Sequence, residues 1–166
     1  MNYGQIRKYD VANGPGIRTT FFLTGCDRNC PNCFNTDYMD FNHGKKWDDQ
    51  AEKEVISYVK LDQVEGLTVL GGEPFENPLG LLDALRNIKK EVTKSIWVYT
   101  GFIYEDLVNM AKAREILEEI DVLVDGEFIE ELKDLKLKFR GSSNQRIIDV
   151  KKSLENNKVI ILNGYK

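Results

Sequence analysis

The sequence predicts an α/β fold: an open, partial (βα) barrel of about five to six parallel βα units. Three observations predict it. Short apolar runs, rich in β-branched and aromatic residues, alternate with stretches of helical periodicity. Most of these runs end at a glycine, as strands do where they feed a loop. At 166 residues, the chain is also too short for a closed eight-unit barrel, which takes about 250. A single domain over residues 1–166 is expected.

The elements follow in order. IRTTFFL (17–23) suits a buried strand running into Gly25. A helix opens at Trp47-Asp48-Asp49 and runs to about Leu61, with Val55, Ile56, Tyr58 and Val59 as its apolar stripe and Asp48 or Asp49 as its cap. LTVL (67–70) is a strand ending at Gly71-Gly72. Asn77-Pro78 starts a helix carrying Leu81, Leu82, Leu85 and Ile88. SIWVYT (95–100) is a strand ending at Gly101, residues 104–119 are helical, and DVLVD (121–125) is a strand ending at Gly126. LKLKF (135–139) alternates in period two and reads as a strand. The tail, QRIIDVKKSLENNKVIIL, reads as two short strands around a turn at Glu155-Asn156-Asn157. In such folds the loops at the C-terminal strand ends build the site. The cysteine loop, Gly71-Gly72-Glu73, Thr100-Gly101, Asp125-Gly126 and Gly141-Ser142 all belong to that edge.

Composition narrows the function. The chain is 42% hydrophobic and 30% charged, with a net charge of -4. Its lysines are interleaved with acids, so no nucleic acid partner is expected. No apolar run approaches the ~20 residues of a membrane span, and the N-terminus has no apolar export stretch. A cytoplasmic location, with no membrane partner, is the expectation. There, clustered thiols indicate a metal or redox site more often than a disulfide.

Cys26, Cys30 and Cys33 are the only cysteines, in the spacing C-x3-C-x2-C. A structural zinc site needs four ligands, usually in two pairs. His43, the one histidine, lies ten residues beyond Cys33 with no second pair; a zinc-binding interaction module is therefore a remote alternative. A 4Fe–4S cluster usually takes four thiolates, but three suffice where the fourth iron must stay open to an added ligand.

GCDRNCPNC and the later LGGEP (70–74) resemble the two leading motifs of the radical S-adenosylmethionine superfamily, in the expected order. The resemblance implies a radical-SAM core. It also implies a 4Fe–4S cluster held by the three cysteines with its fourth iron open, and S-adenosylmethionine as the second cofactor. Gly71, Gly72 and Glu73 would hold the methionine amino group. Thr100, Asp125, Ser142 and Asn144 are further candidates for the cofactor pocket, with Asp125 facing the adenosine or a bound cation. Tyr99 and Trp97 are read as core residues, and the plain alternative for Asp125 is a turn-forming side chain.

NGPGIRTTFFLTGCDRNCPNCFN, WVYTGF, DVLVDGEF and FRGSSNQRIIDV look like the activating proteins of anaerobic (class III) ribonucleotide reductase. By that resemblance, reductive cleavage of S-adenosylmethionine generates a 5′-deoxyadenosyl radical. That radical takes a hydrogen from a glycine of the reductase large subunit and leaves a glycyl radical. A low-potential electron donor such as flavodoxin is the other implied partner. The alternatives are a deazaguanine-synthase-like radical enzyme or an activase of a different glycyl-radical enzyme. A short, open barrel supports a protein substrate, because a folded partner can cover a site the enzyme leaves open.

Overall fold

The chain folds around one seven-stranded sheet; the computed structural model describes residues 1–27 and 36–165. The strands are β1 (Asn2–Asp10), β2 (Arg18–Leu23), β3 (Lys45–Lys46), β4 (Gly66–Gly71), β5 (Ser95–Tyr99), β6 (Val122–Asp125) and β7 (Arg146–Asp149). Their order across the sheet is β3-β1-β2-β4-β5-β6-β7. The helices are α1 (Asp49–Val59), α2 (Pro78–Lys89), α3 (Tyr104–Leu107), α4 (Ala111–Leu117) and α5 (Val150–Asn156).

Only β2, β4, β5 and β6 run parallel. This corrects the expected five to six parallel units to a four-stranded parallel centre with antiparallel strands at both edges. The connections explain why. Helices cross over between the central strands, whereas β6 reaches β7 through a loop without an α-helix, so the chain returns antiparallel. At the other edge, residues 11–17 turn β1 tightly into β2, with Gly14 and Gly16 at φ 117° and 71°. Strand β1 went unread in the sequence because its side chains are mostly half-buried or exposed and show no apolar run.

Period-two alternation gives the central strands two distinct faces. Phe21, Leu23, Val69, Val98 and Leu123 pack with Val55, Leu81, Leu85, Ile116 and Leu117 of the helices into the main core. Arg18, Phe22, Thr68, Leu70, Trp97 and Tyr99 stand on the alternate positions. On that side Trp97, Val122, Val124 and Ile147 pack with Tyr99, Phe139, Leu162 and Tyr165 into a smaller cluster.

Several expected elements change form. Asp48 does cap α1, accepting from the Ala51 N–H at 2.8 Å, and α2 does begin at Pro78. The helix expected over 104–119 is broken into α3 and α4. The Asn109 side chain donates to the Glu105 carbonyl at 2.9 Å, taking the acceptor a continuous helix would use for the Asn109 backbone. LKLKF is no strand. Asp134 accepts from the Lys136 and Leu137 N–H groups and closes a turn instead. The tail forms β7 and then α5, which ends at left-handed Asn157 (φ 52°); Ile161 makes only a single bridge to Ile148.

Arg18 is 1% exposed, yet every hydrogen bond it makes among the described residues goes to a neutral oxygen. It donates to Thr68 Oγ1 at 2.8 Å, to the Leu67 carbonyl at 2.9 Å and to the Ser95 carbonyl at 3.0 Å. Thr68 in turn donates to the Asn13 carbonyl at 2.8 Å, fixing the turn before β2. Burial pulls the guanidinium down to about 10; it stays charged at neutral pH, and these bonds offset its desolvation. Replacing Arg18 by Lys keeps the charge, but a point ammonium cannot span Thr68 and Ser95 together. We expect Arg18→Lys to cost about 2 kcal/mol, read as a lower urea midpoint at unchanged m-value.

Candidate functional site

Strand β2 leaves the sheet through Thr24 and Gly25 into Cys26, and β4 leaves beside it through Gly71 and Gly72 into Glu73. The two exits are bonded to each other. The Gly72 N–H donates to the Leu23 carbonyl at 2.8 Å, and the Glu73 N–H to the Gly25 carbonyl at 2.8 Å. On its far side the cysteine loop is held by residues 38–39: Gly25 N–H donates to the Tyr38 carbonyl at 2.6 Å, and Cys26 N–H to the Met39 carbonyl at 2.9 Å. A Cβ on Gly72 would lie 2.5 Å from the Tyr38 carbonyl oxygen and 2.6 Å from that of Gly25. Gly71, at φ 123°, would meet the Leu23 backbone. Both glycines are thus required by the protein's own neighbouring strand exit, besides any ligand they admit.

Glu73 is 1% exposed and ties β4 to the next exit. Its Oε1 accepts from the Gly101 N–H at 2.6 Å; its Oε2 accepts from Thr100 Oγ1 at 2.9 Å and from the Phe75 N–H at 3.0 Å. The Thr100 N–H donates to the Val124 carbonyl at 2.9 Å, which joins the end of β5 to β6. Three sequence-distant exits therefore form one hydrogen-bonded unit.

That unit forms one end of a cavity of about 460 Å³. Cys26, Gly71, Gly72, Glu73, Thr100 and Gly101 line it there, Phe22, Leu70 and Tyr99 line it along the sheet face, and Gly126, Arg140, Gly141 and Gln145 close it from the loop before β7. Cys26 is half-buried. Cys30 and Cys33 lie outside the described residues. His43 packs its ring against Tyr38, with centroids 5.7 Å apart.

The structure brings Cys26, Gly71, Gly72, Glu73 and Thr100 together at the cavity, but not Asp125, Ser142 or Asn144. Asp125 is fully buried. Its Oδ2 accepts from the Tyr104 N–H at 2.8 Å and from Arg146 Nη2 at 2.6 Å, and its Oδ1 accepts from Arg146 Nε at 3.0 Å. Arg146 also grips Glu105 through Nη1 at 3.2 Å and Nη2 at 2.6 Å. The hydrogen bonds to Asp125, then those to Glu105, push the Arg146 pKa up, and the bond from Arg146 pulls that of Glu105 down. Asp125 is the anchor that starts α3 and holds β7. Ser142 Oγ donates to Asn144 Oδ1 at 2.6 Å and accepts from the Ile129 N–H at 3.2 Å, while Asn144 donates to the Glu127 carbonyl at 2.8 Å. Gln145 accepts from the N–H groups of Gly141 and Ser142 and donates to the Gly126 carbonyl. These polar side chains hold the loop, of which Arg140, Gly141 and Gln145 line the cavity.

Sequence reasoning missed Arg7, Asn13, Phe22, Leu70 and Tyr99 as cavity residues. The even positions of β2 and β4 and the odd positions of β5 carried the signal, since they share the face away from the helices. Tyr99 is more than the core residue expected. It lines the cavity, its hydroxyl is buried with no partner among the described residues, and burial pushes its pKa up. Trp97 is core, as expected.

Residues 12–148 match the family model of the 4Fe-4S single cluster domain. The chain is 40% identical over 153 residues to the anaerobic ribonucleoside-triphosphate reductase-activating protein of Haemophilus influenzae, spanning 89% of this chain and 97% of that one. It is 37% identical over 150 residues to the protein of that name from Escherichia coli K12 (87% and 96%), and 35% identical over 150 residues to that of Enterobacteria phage T4 (89% and 93%). The chain belongs to this family of activating proteins. The family-model match runs through every strand exit that borders the cavity. Among the described residues no helix is long and apolar enough to cross a membrane.

These three hydrogen bonds to Glu73 all come from donors. A glutamine there would turn its amide NH₂ toward an N–H or a hydroxyl whichever way it flips. Glu73→Gln is expected to lower stability by about 2 kcal/mol, and to do so in thermal unfolding of the apoprotein, before any cofactor enters.

Proposed function

We propose that this chain activates an anaerobic ribonucleoside-triphosphate reductase, as a single radical-SAM domain that generates a glycyl radical on its protein substrate. The observation that carries the reading is the locked pair of strand exits. The loop bearing Cys26 and the loop bearing Gly71-Gly72-Glu73 share their backbone hydrogen bonds at one end of a cavity sized for a small molecule. Family membership supplies the reductase as partner and the cluster as cofactor.

The residues fit the two groups. Cys26 offers a soft thiolate ligand at the cavity wall, suited to an iron–sulfur cluster, and Cys30 and Cys33 complete the set in our reading. The cavity wall also carries two buried polar atoms, Tyr99 Oη and Arg140 Nε, that have no partner among the described residues. They are polar capacity that the protein itself leaves unused. When bound, the reduced cluster and S-adenosylmethionine supply a 5′-deoxyadenosyl radical able to take a hydrogen atom from a glycine of the reductase.

The chain's own residues bind, orient and shield. Gly71 and Gly72 present backbone to the cofactor's amino group while keeping the cysteine loop in place. Glu73 and Thr100 position that backbone from within the protein. Asp125, through Arg146, and Ser142 and Asn144, through their loop contacts, set the position of Gly126, Gly141 and Gln145 at the cavity without touching the ligand. A low-potential donor of the flavodoxin kind supplies the electron. The partner's glycine-bearing segment completes the cover over the site and excludes water from the radical.

Two outcomes check the reading. Any one of Cys26→Ala, Cys30→Ala or Cys33→Ala abolishes cleavage of S-adenosylmethionine, because two thiolates do not hold a cluster with an open iron; full activity in Cys30→Ala contradicts it. Anaerobically reconstituted protein mixed with reductant, S-adenosylmethionine and the reductase gives a glycine-centred doublet in the EPR spectrum. Deoxyadenosine released without that doublet would rule out the reductase as substrate.

A further inference from the structure

The loop between β6 and β7 displays apolar side chains where a loop ordinarily displays polar ones. Within seven residues, Ile129, Leu132 and Leu135 are 36%, 40% and 86% exposed. Leu135 occupies the tip of a turn: the Leu137 N–H donates to the Asp134 carbonyl at 3.3 Å, and the Asp134 carboxylate accepts from the Lys136 N–H at 2.9 Å. Such positions favour Gly, Asn, Asp or Ser. A scattered exposed leucine needs no explanation, but this one lines the cavity while standing almost wholly in solvent.

The turn is held firmly at its base. Lys133 bridges to Ser142, and the Asp134 N–H donates to the Gly141 carbonyl at 3.2 Å. Beyond the tip, Phe139 adopts φ 60°, a conformation costly for a bulky side chain. Its ring is wedged against Trp97 and Tyr165, at centroid distances of 5.7 and 5.3 Å. The apolar tip is thus presented on a tethered loop rather than on a free end, which lowers the ordering cost of a contact. Glu130, Glu131, Lys133, Lys136 and Lys138 surround it with charges of both signs, as at the rim of a protein interface.

A second exposed apolar residue stands beside the cavity. Val11 is 72% exposed, in the turn between β1 and β2, next to Ala12 and Asn13, which line the cavity. We propose that Leu135 and Val11 are docking contacts for the reductase, holding its glycine-bearing segment as it enters the cavity. The inference rests on the functional reading above: Leu135 belongs to the cavity lining and Val11 adjoins Ala12 and Asn13 of that lining, so a segment seated in the cavity would bury them, which offsets part of the cost of association.

The experiment uses the reconstituted full chain with its reductase. Half-saturating reductase concentration is read from the initial rate of the glycyl EPR doublet, deoxyadenosine formation is measured with reductase omitted, and melting temperature is recorded for each protein. Leu135→Ser and Val11→Ser should each raise the half-saturating concentration roughly tenfold. Melting temperature in both serine variants, and cofactor cleavage without reductase in Val11→Ser, should stay at the wild-type level, and Leu135→Met should restore docking. An unchanged half-saturating concentration in both serine variants overturns the proposal. So does a matching loss of uncoupled cleavage or of melting temperature, which would assign these residues to the cofactor site or to the fold. A changed oligomeric state with unaltered reductase dependence would assign the patch to a second copy of this chain. Failure of the wild-type protein to give any doublet refutes the functional reading itself, whatever the variants do.

Discussion

The approach of one strand exit to another governs this molecule. Gly72 sits so close to the carbonyl oxygens of Gly25 and Tyr38 that a single added methyl group has no room. The backbone bonds made there, Glu73 to Gly25 and Gly72 to Leu23, set where the cysteine loop departs from the sheet. From this contact the order propagates outward. The Glu73 side chain carries it to Thr100 and Gly101, and the Thr100 backbone carries it to β6. Charge is used sparingly: one buried carboxylate, accepting from three neutral donors, does the joining, and burial makes each of those bonds costly to lose.

The same economy separates scaffold from ligand surface. Asp125 is buried and charged, yet both its oxygens are taken by Arg146 and the start of α3. A buried ion pair of this kind is weak evidence of stabilisation and strong evidence of positional demand, since losing one partner strands the other. Ser142, Asn144 and Gln145 follow the same rule with neutral groups. The cavity is lined by the glycines of the strand exits and by apolar side chains such as Phe22 and Leu70, with Arg7, Asn13, Asp134 and Arg140 among its polar residues.

Legibility in the sequence tracked how local the determining physics is. The central strands were readable because they are buried on both faces and stop at glycine, and α1 and α2 because their caps and apolar stripes are short-range signals. Asn109 broke a helix through one side-chain bond that periodicity does not register. LKLKF misled because its alternation reflects a turn with an outward leucine and an inward phenylalanine, not a pleat. Among the site residues, Gly71, Gly72 and Glu73 were legible as a motif. Their division of labour was not, because it depends on strands some fifty residues apart in sequence coming within a van der Waals contact. Asp125 illustrates the converse. A carboxylate at a strand end looks alike in sequence whether it faces a ligand or an arginine, and only Arg146, twenty-one residues later, decides.

The central claim is that the two strand exits work as one unit that holds both cofactors. Gly72→Ala tests it directly, with iron content and S-adenosylhomocysteine affinity measured together after anaerobic reconstitution. The account predicts that both fall sharply while far-UV circular dichroism keeps the signature of the sheet and helices. Normal iron loading with undiminished affinity would show that the exits need not touch, and would contradict it.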